Sequence, residues 1–326
     1  KDSISLFDLT SERFIEHIDI GQELSTRDMS VMNLAEHDNK LWIATFGKGL
    51  LQYDLTSRKI TSVPLKLEGL ELNARNLLLA SDLSLWLGTQ GGLLQIDITT
   101  GALKRYNHAP DADNTLSHDN IGALFEDEQG RIWVGSHFGG VNLYQPHSDD
   151  FIRYATDSTN PVASMGGSIL SIKQGPSGTI YVGGNSGVEF YHPDTFAFQY
   201  QHINVINGQH LSVEHLLASN DQLYVTSSLS DSIAKYTFSD GQSSCQDERI
   251  CRALRHFDNP DEILELYPIE QGVLLRTHYS IFLFNWLQGK MTDLFVDWPL
   301  KNGYAHPRSI FSDSNQRHYV YAKGGV

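Results

Sequence analysis

The sequence predicts an all-β protein: a seven-bladed β-propeller with four antiparallel strands per blade, its ring closed by N- and C-terminal strands pairing in one shared blade. Three observations predict it. A motif centred on an aromatic residue recurs at Trp42, Trp86, Trp133 and Tyr181, at spacings of 44, 47 and 48 residues. Each copy divides into four short apolar runs separated by Gly-, Asp- and Ser-containing turns, as four-stranded blades of 40–50 residues do. And the two ends of the chain carry complementary halves of one copy.

The copies align directly. Lys40-Leu-Trp-Ile-Ala-Thr45 matches Ser84-Leu-Trp-Leu-Gly-Thr89, Arg131-Ile-Trp-Val-Gly-Ser136 and Thr179-Ile-Tyr-Val-Gly-Gly184. A weaker copy follows at Gln222-Leu-Tyr-Val-Thr226 and a degenerate one at Gly272-Val-Leu-Leu-Arg276. The last begins at Arg317-His-Tyr-Val-Tyr321, and its second half sits at the other terminus, where Ser3–Phe14 matches Gly49–Ile60. The shared unit takes residues 1–20 and 305–326. The others run approximately over 24–65, 72–108, 116–156, 164–204, 211–257 and 261–297. A pair of β-sandwiches does not explain the shared unit. Within each unit the first strand is a run such as Ile121–Phe125, followed by a polar turn. The second is the aromatic segment, a Gly-rich turn leads to a third such as Val141–Tyr144, and a fourth resembles Phe151–Tyr154. Gly88, Gly135 and Gly183 fall where strands crowd together, and the aromatic two residues earlier fills the space between blades.

Composition agrees. With 326 residues, 40% hydrophobic and 10% aromatic, the chain can bury a large core. A net charge of −15 argues against nucleic-acid binding, which draws on a Lys/Arg excess. The longest apolar run, Ile281–Trp286, is far short of a membrane span. Outer turns containing Asp111, Asp113, Asp127, Glu128, Asp149 and Asp150 read as solvated turns, and Tyr106, Tyr154 and Tyr200 as packing of the outer strands.

The copies Leu41-Trp-Ile-Ala-Thr45, Leu85-Trp-Leu-Gly-Thr89 and Ile132-Trp-Val-Gly-Ser136, together with Leu116-Ser-His-Asp-Asn-Ile121, resemble two-component regulator propeller repeats. The resemblance is strong over residues 24–200 and weak after Asn207. It implies the periplasmic sensor domain of an inner-membrane histidine kinase, hybrid kinase or diguanylate cyclase, with catalysis in a module beyond a membrane helix. It also implies a ligand that is often carbohydrate-related, and a homodimeric receptor. On this reading the chain is a soluble ectodomain of a membrane-anchored protein.

Propeller geometry places the turns before each first strand on the same face as the turns between second and third strands. Three columns of side chains are thereby expected at a channel mouth. One contains Arg308, Arg27, Arg75, Asp119, Gly167, Glu214 and Asp261. The next contains Ser309, Asp28, Asn76, Asn120, Ser168, His215 and Glu262. The second-to-third-strand turns add Lys323, Phe46, Lys48, Gln90, His137, Phe138, Asn185, Ser228, Ser230, His278 and Tyr279. Cations gather in the first three units and acids in the last two. An arc of this kind suits an anionic ligand, through Arg forks for carboxylate or sulfate, while Phe46, Phe138 or Tyr279 suits the apolar face of a sugar. Alternatively, the opposed charges pair across the channel and stiffen it, or the face meets a protein.

No metal site is expected. The 14 His show no metal-ligand spacing, and neither a Cys-x-x-Cys nor an EF-hand loop occurs. No cofactor is expected either. His137, His215 and His278 with Glu214 form a candidate general-base group of the kind used by streptogramin-type lyases, which share this style of repeat. A catalytic function is therefore the alternative to a non-catalytic sensor, and a structural or dimerisation module the second alternative. Cys245 and Cys251, with five residues between them, are a candidate local disulfide in an oxidising compartment. Free thiols in that polar stretch, or a redox sensor, remain the other readings.

Overall fold

The computed structural model describes residues 2–8, 11, 13–20, 24, 29–65, 73–154, 167–175, 177–192, 197–201, 212–213, 215–219, 222–227, 232–237, 265–269, 271–277, 280–285, 287–294, 305–312 and 317–324. They form 27 strands. The first two are β1 (Asp2–Asp8) and β2 (Arg13–Asp19). There follow β3 (Ser30–His37), β4 (Lys40–Phe46), β5 (Gly49–Asp54) and β6 (Lys59–Ser62), then β7 (Ala74–Leu79), β8 (Ser84–Thr89), β9 (Gly92–Asp97) and β10 (Leu103–Tyr106). Next come β11 (Ile121–Glu126), β12 (Ile132–Ser136), β13 (Gly140–Gln145) and β14 (Asp150–Tyr154). β15 (Ile169–Gln174), β16 (Ile180–Gly184), β17 (Gly187–His192) and β18 (Ala197–Gln201) precede β19 (His215–Ser219), β20 (Gln222–Ser227) and β21 (Ser232–Thr237). The last six are β22 (Glu265–Ile269), β23 (Gly272–Arg276), β24 (Ile281–Asn285), β25 (Lys290–Asp293), β26 (Ala305–Ser312) and β27 (His318–Gly324).

All sheets are antiparallel meanders of the propeller-blade kind. Six have four strands, in the orders β2-β1-β27-β26, β3-β4-β5-β6, β10-β9-β8-β7, β11-β12-β13-β14, β15-β16-β17-β18 and β22-β23-β24-β25. This corrects the expected seven four-stranded blades to six. The unit read from 211–257 gives only the three-stranded sheet β19-β20-β21 among the described residues. That unit carries the weak copy of the motif, Gln222-Leu-Tyr-Val-Thr226, and the polar stretch from Ser239 onward lies outside the described residues. In the sheet formed by both termini, β1 pairs β27 over six residues, from Asp2 opposite Lys323 to Phe7 opposite His318.

By contacts the chain forms two compact units, residues 1–79 with 265–326, and residues 80–264. In the first, one core gathers Ile4, Ile20, Leu34, Leu41, Ile43 and Tyr319, all at most 2% exposed, and a second gathers Phe7, Leu274, Ile281 and Val320. In the second unit, Trp133, Val141, Ile169, Ile180, Val182 and Tyr191 pack together, and Tyr181, Val188, Leu223 and Val225 make another cluster.

The repeat's glycines and aromatics have one cause. A Cβ on Gly135 would lie 2.5 Å from Ile169 Cγ2, and one on Gly183 would lie 2.6 Å from Val213 Cγ1. The neighbouring strands approach too closely for a side chain there, while two residues earlier there is room for Trp133, 0% exposed, and Tyr181, 3% exposed. The outer-strand tyrosines pack as expected: Tyr106 stacks on Trp86 at 5.8 Å and Tyr154 on Trp133 at 6.1 Å. The side chain of Tyr200 lies outside the described set. Burial raises the pKa of both Tyr106 and Tyr154 above the ordinary tyrosine range.

Two acids read as solvated turn residues serve the core: Asp127 is buried and Asp149 is half-buried, and both are engaged. Asp127 is 5% exposed and accepts hydrogen bonds from Gln129 N, Arg131 N, Arg131 Nε and Trp133 Nε1 at 2.5–3.0 Å. Asp149 Oδ1 accepts from the hydroxyls of Tyr106 and Tyr144, at 2.6 and 2.8 Å, and its carboxylate pairs with Lys104. The packed indole and phenol rings need acceptors, and these acids provide them.

Candidate functional site

Four first strands, β3, β11, β15 and β26, shift register at one place, where Met32, Gly122, Leu170 and Arg308 are the extra residues. Such a bulge re-aims the chain just before the strand proper. On the same side, second-to-third-strand turns bond to these entries. In the 80–264 unit Gly92 N donates to Asp119 O, His137 N to Asn120 O, Phe138 N to Gly167 O and Asn185 N to Ser168 O, at 2.8–3.1 Å. In the other unit Gly47 N donates to Asn73 Oδ1 at 3.2 Å. Entry segments and turns therefore share a face within each unit.

The expected site residues are distributed unevenly over this geometry. Lys48 is exposed at the tip of the β4–β5 turn, and Arg75 and Asn76 are half-buried in β7, both engaged. His215 is half-buried at the start of β19 and also engaged. Arg27, Asp28, Glu214, His278 and Tyr279 lie outside the described residues, as do Asp261, Glu262, Cys245 and Cys251. Arg308 is located as a bulge residue, with its side chain outside the described set.

One stretch is described in full, Leu116–Ile121 with the turn His137–Gly139. Asn142, fully buried in β13, anchors it by accepting from Ser117 N at 2.8 Å and donating to Val134 O at 3.1 Å. Asp119 is committed to structure. Its Oδ1 accepts from His108 N at 2.6 Å and from Asn107 Nδ2 at 3.1 Å, and Asn107 Nδ2 also donates to Gly91 O at 3.0 Å. Asn120 Oδ1 is buried and has no partner among the described residues. Asn120 N donates to His118 Nδ1 at 3.0 Å. His118 lies edge-on to Phe138, ring centroids 6.3 Å apart, and Phe138 is 72% exposed.

The columns of expected site residues start one residue later, at Asp119, and pass over His118, although the Ser-His-Asp-Asn motif signals it: a His before Asx residues at a strand entry caps the local backbone. Among the described residues no group of three or more His, Cys, Asp or Glu is placed to hold a metal ion. Nor is any helix there long and apolar enough to cross a membrane.

Residues 115–138 match the family described as two component regulator propeller. No curated protein matches the sequence significantly. Among solved structures, the extracellular domain of a putative hybrid two component system from B. thetaiotaomicron is similar with a TM-score of 0.66 and 13% identity. The alignment covers 89% of this chain and 39% of that one. The extracellular domain of a putative one component system from the same organism gives a TM-score of 0.53 and 19% identity, covering 97% and 41%. The chain thus spans about two fifths of the length of these domains. A catalytically inactive virginiamycin B lyase from Staphylococcus aureus, with quinupristin, gives a TM-score of 0.64 and 13% identity, covering 99% and 100%. At these identities the similarity is one of fold. The match at residues 115–138 bears out the resemblance read from the sequence: this stretch is similar to a two-component regulator propeller repeat, on a fold shared with the extracellular domains above.

Proposed function

We propose that this chain is a sensing domain of a bacterial membrane signalling protein, placed outside the cytoplasm, non-catalytic in itself, and binding a carbohydrate-like or anionic ligand. The observation that carries the reading is the regulator-propeller repeat at residues 115–138, on a fold similar to the extracellular domains of two-component-system proteins. Within each unit the candidate face is the one bearing strand entries and second-to-third-strand turns, with Lys48, Arg75 and Asn76 in one unit and Asn120, His137 and Phe138 in the other; Arg27, Asp28, Glu214, His215, His278, Tyr279 and Arg308 remain candidates from the sequence. Because a ligand shifts an equilibrium only by its differential affinity for two states, the signal would be a change in the pairing of two receptor copies.

The test is a thermal-shift screen against neutral oligosaccharides, uronic acids and sulfated sugars. A shift with one class, lost in the double variant Arg27→Ala, Arg75→Ala for an anionic ligand, supports the reading. No shift with any class sinks it. A second reading, a lyase, rests on the end-to-end alignment with virginiamycin B lyase. Incubation with quinupristin followed by chromatography separates the two: an unaltered substrate supports the non-catalytic domain, and turnover refutes it.

A further inference from the structure

The internal repeat gives a control for Phe138. Turns 46–48 and 137–139 each place three residues between a hydroxyl residue, Thr45 or Ser136, and a glycine, Gly49 or Gly140, whose carbonyl accepts the hydroxyl at 2.8 or 3.0 Å. The middle residue has positive φ in both: Gly47 at +95° and Phe138 at +69°. Glycine adopts this conformation freely, while a bulky side chain is strained in it. Phe138 gains no compensating burial, being 72% exposed. At a position where the sister blade uses glycine, the aromatic ring is largely in water, and its ring contacts are with His118 and His137, each at 6.3 Å between centroids.

The surroundings fix the turn that carries the ring and put a donor beside it. Phe138 N is bonded to Gly167 O at 3.1 Å. A Cβ on the adjacent Gly139 would meet Ser136 Oγ, Ser117 Oγ and His118 Cβ at 2.6–2.8 Å, so the turn is pressed against the His118 segment. Because His118 Nδ1 accepts the Asn120 N–H, the neutral imidazole carries its proton on Nε2. That nitrogen has no hydrogen-bond partner among the described residues and is not among the buried unpartnered atoms.

A flat apolar face next to an outward N–H donor matches the surface of a pyranose, whose axial C–H groups cover an aromatic ring while its rim presents hydroxyl oxygens. We infer that Phe138 is a stacking platform for a neutral pyranose, with His118 Nε2 donating to a hydroxyl oxygen of the same sugar. The inference rests on the sensing reading above and names the ligand class and the subsite.

The test is calorimetric titration of the intact chain with cellobiose, maltose, lactose and glucuronate, combined with thermal melts of variants. The expected result is binding of a neutral disaccharide that weakens at least tenfold in Phe138→Ala and in Phe138→Gly, weakens in His118→Ala and survives in Phe138→Tyr. Phe138→Gly should at the same time raise the melting midpoint by about 1–3 °C, since it relieves the strain. That combination separates a platform from a structural residue, whose loss would lower both. Binding within twofold of wild type in Phe138→Ala overturns the platform and leaves the sensing reading intact. So does binding confined to glucuronate. Absence of binding to any sugar or anion overturns both. A midpoint that falls in Phe138→Gly overturns the strain argument.

Discussion

Single residues in this fold divide by whether their polar atoms are spent on the structure. Asp127 is spent entirely: it closes the β11–β12 turn and receives the indole N–H of Trp133. Asp127→Ala would leave Trp133 Nε1 and two backbone N–H groups without an acceptor, and we expect a loss of about 3 kcal/mol in denaturant unfolding. His17 is a different case. Its Nδ1 bonds Ser5 Oγ at 2.7 Å, and burial lowers its pKa below the ordinary 6.5, against a smaller opposing effect of Asp19. The unfolded chain therefore takes up this proton at higher pH than the folded one. Stability from His17 is present above about pH 6.5 and is lost as the pH falls through that value. Melting midpoints measured from pH 7.5 to 5 should drop more steeply for the wild type than for His17→Gln.

At the scale of elements, recurring devices fasten the blades at the end where the first-to-second-strand and third-to-fourth-strand turns lie. There, a residue at or next to the end of a first strand reaches the turn of the preceding sheet. Glu126 accepts from Ser81 N and Oγ at 2.6–3.0 Å, Gln174 Oε1 from Glu128 N at 2.9 Å, and Glu36 pairs with Arg317 at 3.3 Å. Asx turns recur between third and fourth strands: Asp54 accepts from Thr56 N and Ser57 N, Asp97 from Thr99 N and Thr100 N. The Ser57 and Thr100 N–H groups hold the two carboxyls below the ordinary Asp range. Between blades, close approach is decisive. Gly135→Ala would drive a methyl against Ile169, and we expect a cost of about 1–3 kcal/mol, read as a lower denaturation midpoint with unchanged m-value.

For the whole molecule, the pairing of β1 with β27 joins residues more than 300 positions apart and covers an edge that each strand would otherwise expose. Removing residues 318–326 strips β1 of this partner and takes away Tyr319 and Val320, which are at most 1% exposed. The expected outcome is a lower, broader melting transition and association in size-exclusion chromatography. An unchanged monomeric melt would show that the terminal pairing is dispensable.

The repeat alone determined the all-β class, the four-strand grammar of the blades, the crowded glycine positions and the split blade, because each is set by local periodicity and by residue size at a fixed offset. It overcounted the four-stranded blades at the unit with the weak copy of the motif, Gln222–Thr226, where three strands pair among the described residues. Only the tertiary structure decided what the polar residues do. Asp119 and Asp127 look alike in a sequence as turn acids, yet each is committed to groups brought near by folding. Phe138 looks like any turn aromatic until its φ and exposure are set beside those of Gly47. Hydrogen-bond satisfaction and backbone strain are properties of three-dimensional neighbours, and a one-dimensional pattern does not contain them.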